Sequence, residues 1–214
     1  MVCMIVLTFG CWNVALVRKI INPLKLFTIG LHELFHISTA ILSGGRILRV
    51  TIDPYAGGAT LVEGGRPTLI LASGYIGSTL MGGLFVLAGW NILAAKVMSF
   101  FLGVGLIMPL SLVRDKLTIL LSICYEILLV GCWFIDHGSA LRWYCLFIGV
   151  MNVFFVVWDV ADDRFFRKAN DSDATQWSLL YPFMGPHTWT AIWILFEIVI
   201  LAAFTLAGLF GLKV

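Results

Sequence analysis

The chain has 214 residues, 60% of them hydrophobic and only 12% charged, with a mean hydropathy of +0.99 and a formal net charge of +2. A water-soluble domain carries roughly a quarter charged residues, so this composition excludes one and indicates an integral membrane protein. The small net charge carries no signal for nucleic acid, and no nucleic-acid partner is expected. The partner that the composition does imply is the lipid bilayer.

Apolar runs of membrane-spanning length fall at about 1–17, 24–43, 68–95, 97–113, 117–135, 141–160 and 187–211. They predict an all-α polytopic membrane protein, residues 1–214 forming a single multi-pass domain with six or seven transmembrane helices. The run from Met1 to Val17 has no basic stretch before it and no small-residue cleavage site after it. It therefore reads as a first membrane helix rather than a signal peptide. Five cysteines (Cys3, Cys11, Cys124, Cys132 and Cys145) lie in apolar runs without a CxxC pair. Neither a zinc knuckle nor a disulfide framework is indicated, and buried free thiols are expected.

The second run holds the polar centre of the chain, His32-Glu33-Leu34-Phe35-His36. Residues four apart return to nearly the same face of a helix, so His32 and His36 can hold one metal ion together. Glu33 lies about a quarter turn away, placed to reach a water on that ion rather than the ion itself. A charged residue at mid-bilayer costs roughly 2.5–3.5 kcal/mol, which marks such a cluster as functional. Two core histidines one turn apart, or a bis-histidine haem site, would have no need of the glutamate.

Two short extended runs follow, from Gly44 to Pro54 and from Ala59 to Val62, around a glycine turn. They predict a short β-hairpin between the second and third helices, either a plain connector or an edge strand near the metal. Such an edge is able to hold an unwound peptide by main-chain pairing. In the third run, Gly74, Ser78 and Gly82 recur every four residues, a small-residue stripe that suits docking on the HELFH helix. Glu126 and Glu197 are lone acids in apolar runs and are not assigned to catalysis; His137 and His187 read as interfacial or loop residues.

Five aspartates occupy 159–174. A zinc site with two histidines still lacks a third protein ligand, and a carboxylate completes a common catalytic set with one position left for water. Asp173 starts a predicted short helix after Ser172, and Asp159 ends an apolar helix nearer hydrocarbon depth. Depth favours Asp159, while local context does not choose between the two.

Three segments, HELFHISTAILSGG, SGYIGSTLMGG and NDSDA, together resemble the site-2 protease family of intramembrane zinc metallopeptidases, especially its compact peptidase M50B-like branch. The resemblance implies one Zn2+ ion bound by His32, His36 and Asp173, with Glu33 as the general base. It also implies cleavage of transmembrane protein substrates. Asp173 stands where better-known members have an aspartate followed by glycine; here Ala174 follows, and Asn170 lies closer than in the usual asparagine–proline pattern. Asp159 remains the rival third ligand. From another class, a membrane transporter or metal-binding scaffold would use the same cluster to bind or relay a cation without proteolysis. The order of the motif, with an acid in its second position, favours hydrolysis.

Overall fold

The computed structural model describes residues 1–5, 9–11, 14–53, 57–111, 113, 115–166 and 171–212. The fold is 80% helix with one antiparallel hairpin. In chain order the helices are α1 (Val2–Ile5), α2 (Ala15–Leu42), α3 (Pro67–Ala88), α4 (Ile92–Ile107), α5 (Lys116–Phe134), α6 (Ser139–Val153), α7 (Phe155–Phe166), α8 (Asp173–Leu180) and α9 (Pro186–Gly211). Strands β1 (Arg46–Asp53) and β2 (Gly57–Glu63) lie between α2 and α3, where the turn signals predict them.

Among the described residues, four stretches are long and apolar enough to cross a membrane: Pro67–Ala88, Ile92–Ser111, Lys116–Val153 and Pro186–Gly211. The third contains both α5 and α6, joined by a tight turn in which Asp136 and His137 adopt φ of 44° and 55°. The six or seven spans expected from apolar runs are thus established only as these four stretches, and part of the run 1–17 lies outside the described residues. Helix α2 does not qualify among them, although it holds the run 24–43. Lys25, His32, Glu33 and His36 lower its hydropathy, and every residue from Ile21 to Ile29 is buried. Packed against α3, α4, α5 and α6, α2 buries its polar centre in protein, while Leu34, Ile41 and Leu42 stay exposed.

Two boundaries differ from the hydropathy reading. The run 68–95 breaks at Gly89–Asn91, where the Asn91 side chain accepts the Ala94 amide at 3.0 Å and starts α4. The run 141–160 breaks at Phe154 into α6 and α7. The first break coincides with Gly89-Trp90-Asn91, in a run long enough to be tilted or broken, whereas Phe154 lies within Val153-Phe154-Phe155-Val156, where hydropathy gives no sign of it. All five cysteines are free as expected; Cys132 and Cys145 are buried, whereas Cys3 and Cys124 are exposed.

Without a hydrophobic drive between helices in lipid, close van der Waals contact holds them together, and small residues allow it. The stripe on α3 serves two neighbours instead of the one expected. Gly74 faces His32 and His36 of α2, but a Cβ on Gly82 would meet the backbone of α6, 2.5 Å from the Val153 nitrogen and 2.8 Å from the Gly149 oxygen. Eight residues of helix rotate the stripe by about 80°, which carries Gly82 off the α2 face. Gly149 answers from α6, lying equally close to the α3 backbone at Gly82 and Val86. Ser78 turns back onto its own helix, bonding the Gly74 and Tyr75 carbonyls.

The hairpin pairs Arg46 with Glu63 through to Asp53 with Gly57, with a bulge at Leu48 between the Ile47 and Arg49 pairs. Both strands pack on α2, which brings β2 alongside the HELFH turn. Gly82→Ala is expected to cost about 1–3 kcal/mol, because the obstructing atoms are main chain and cannot yield. Gly131→Ala, where a Cβ meets nothing within 4 Å, is expected to stay within about 0.5 kcal/mol. Unfolding of the two variants in detergent measures the difference.

Candidate metal centre

The four-residue spacing on α2 places both imidazoles on one side of the helix, with Nε2 of His32 and Nε2 of His36 2.8 Å apart. His36 Nδ1 lies 2.7 Å from the Ile70 carbonyl of α3, which accepts a hydrogen bond from the Nδ1–H and so leaves Nε2 of the neutral ring with its lone pair free. The His32 ring stacks on Phe155 of α7, with centroids 4.1 Å apart and planes at 24°. Gly74 of α3 sits against both rings, where any Cβ would collide with their Cε1 atoms. A small apolar cluster that includes Ile29, Tyr75, Phe155 and Ala174 packs beside the histidines.

Asp173 completes the group from the far end of the chain. It begins α8, whose N-cap Ser172 accepts the Thr175 amide at 3.3 Å. Its Oδ2 lies 3.0 Å from Nε2 of His32 and 3.0 Å from Nε2 of His36, yet it takes no hydrogen bond. Among the described residues, His32, His36 and Asp173 are the group of three whose ligand atoms lie within 4.8 Å of one another.

These residues fit a zinc ion. Two imidazole nitrogens and one carboxylate oxygen are a common donor set for a catalytic site with an open position. Three buried electron-pair donors aimed at one another, one of them an orphaned carboxylate oxygen, call for a positive charge among them. Tetrahedral ligands about 2.0–2.1 Å from such an ion stand about 3.3 Å apart, so the observed triangle needs to open by only a few tenths of an ångström.

Glu33 is buried beside this triangle, and its Oε2 accepts the Thr60 hydroxyl of β2 at 2.6 Å. Gly58, two residues away on the same face of β2, gives Oε1 its space: a Cβ there would fall on that oxygen. Triangle, Glu33 and β2 residues 58–62 line one cavity of about 670 Å³, with Asp171 and Gln176 also at its wall. A polar, water-sized route to the buried cluster therefore exists.

The family model for Peptidase M50B-like proteins matches residues 1–204. The chain belongs to the Peptidase M50B-like family. This agrees with the resemblance to site-2 proteases and makes the chain a member of a membrane-peptidase family. No curated protein and no solved structure matches it.

In this M50B-like chain Asp159 lines the same cavity, but its Oδ2 accepts the Tyr75 hydroxyl at 2.6 Å and the Asp173 amide at 3.0 Å. The Tyr75 hydroxyl in turn accepts the Ala174 amide at 3.1 Å. Asp159 thus grips the backbone of Asp173, while the Asp173 side chain faces the histidines. Sequence reasoning missed Tyr75, Thr60, Gly58 and Phe155. Tyr75 alone carried a signal, as a tyrosine amid the small residues of SGYIGS. His137 lies in the α5–α6 turn and Glu126 beside Gly103, neither of them in the group of three; Asn170 lies outside the described residues. Tyr75→Phe removes the donor to Asp159 and the acceptor for Ala174, both buried. It is expected to destabilise the protein by about 1–3 kcal/mol in detergent unfolding, against little change for Tyr181→Phe, whose hydroxyl meets Thr68 in a part-buried setting.

Proposed function

We propose that this protein is a zinc-dependent intramembrane endopeptidase that hydrolyses peptide bonds of membrane-embedded protein substrates. In this reading His32, His36 and Asp173 hold one zinc ion and Glu33 is the general base. The observation that carries it is the convergence of three ligand atoms beside a buried glutamate, in a chain of a peptidase family. Bound there, zinc supplies a water with pKa lowered toward about 7 and polarises the scissile carbonyl.

The chain's own residues do the rest. The Thr60 hydroxyl holds Glu33 Oε2, and Gly58 keeps the space around Oε1 clear. The Glu33 carboxylate takes the proton of the attacking water and hands it to the leaving amine. Ile70 fixes the His36 tautomer, and Phe155 fixes the plane of His32. A helical substrate hides its peptide bonds, so it must unwind before cleavage. The edge of β2 along the cavity offers main-chain groups that pair with the unwound segment.

Glu33→Gln is expected to lower hydrolysis of a detergent-solubilised transmembrane peptide about 10²–10⁴-fold while zinc content stays at that of wild type. His36→Ala and Asp173→Ala are expected to lose the metal. Asp159→Ala is expected to keep it with roughly 10–100-fold weaker affinity, having lost only a partner of the Asp173 backbone. Elemental analysis and chelator competition on the purified variants check each outcome. Full zinc in Asp173→Ala with none in Asp159→Ala would hand the third position to Asp159.

A further inference from the structure

Helix α9 is the outermost long helix, buried only at Glu197 and Gly208. Gly208 is explained by the Trp90 ring packed on it. Glu197 is a carboxylate with no exposed surface in the middle of an apolar helix, and it takes no part in the proposed chemistry. Its Oε1 accepts the Val156 amide at 2.8 Å, and its Oε2 has no partner.

Val156 belongs to the first turn of α7, just past the break at Phe154, where the backbone reaches φ −91° and ψ 38°. The first amides of a helix lack carbonyl partners within it, and Val156 is fully buried. Glu197 reaches across from α9 to fill that need. Helix α7 then makes two deliveries to the triangle. Phe155, adjacent to Val156, stacks on His32, and Asp159, one turn further on, grips the Asp173 amide and the Tyr75 hydroxyl.

We propose that Glu197 is a positioning residue for the metal centre: by capping the Val156 amide it fixes the start of α7, and through α7 it sets the His32 ring and the Asp173 backbone. The inference rests on the metal-binding reading of His32, His36 and Asp173. Reach decides this role. Gln keeps an oxygen at the same distance, while Asp keeps the carboxyl group and falls one methylene short.

The test is zinc affinity of the full-length protein in detergent, measured by chelator competition for wild type, Glu197→Gln and Glu197→Asp, with the visible spectrum of each cobalt-substituted protein. Glu197→Gln should bind within about threefold of wild type with the same cobalt bands. Glu197→Asp should bind about 10–100-fold more weakly with altered bands, the loss typical of a group that orients a ligand. Equal affinities for the Asp variant and wild type, or a Gln variant as weak as Asp, would overturn the proposal. So would a Glu197→Asp protein that loses helix content along with its metal, since that is a general folding role. His36→Ala measured alongside separates the two claims: zinc bound there as in wild type contradicts the metal reading itself, whatever Glu197 does.

Discussion

Three electron-pair donors face one another at 2.8–3.0 Å inside an apolar protein, and the rest of the structure is arranged to keep them there. Lone pairs so close repel unless a cation or a proton lies among them, and burial denies them water. The Ile70 carbonyl already accepts the Nδ1–H of His36, so a neutral His36 has nothing to offer Asp173 but another lone pair. A divalent ion resolves all three contacts together. The surrounding groups act on backbone or ring planes and leave the metal-facing atoms untouched: Phe155 on His32, Asp159 on the Asp173 amide, Tyr75 on both Asp159 and Ala174.

Glycine makes this density possible. Gly74 lets α3 approach both histidines, Gly58 lets β2 approach Glu33, and the Gly82–Gly149 pair brings α3 and α6 to backbone contact. Each clears room for one particular neighbour, which links close helix packing in lipid to the geometry of the centre. Helix α2 can carry Lys25, His32, Glu33 and His36 because α3 to α6 pack against it and these four side chains are buried.

Much of the scaffold was legible in the sequence, for reasons that differ from element to element. The face shared by His32 and His36 follows from helical periodicity, and the hairpin follows from β-rich runs around glycine. Asp173 follows from the resemblance, because nothing local distinguishes it from Asp159; what separates them is that Asp173 faces both imidazoles, while Oδ2 of Asp159 accepts an amide and a hydroxyl. The run 68–95 is long enough to be tilted or broken, but the place of its break at Asn91, and the break at Phe154, each turn on one hydrogen bond that hydropathy does not locate. Thr60, Phe155 and Glu197 act only across distant parts of the chain, so no window of sequence contains the partners that give them meaning.

Zinc K-edge X-ray absorption of the purified wild-type protein tests the central claim most directly, because it reports the donor atoms themselves. The spectrum should show nitrogen and oxygen scatterers at about 2.0–2.1 Å, with the multiple-scattering pattern of two imidazoles. A sulfur shell near about 2.3 Å, or a single imidazole, would contradict a centre built from His32, His36 and Asp173.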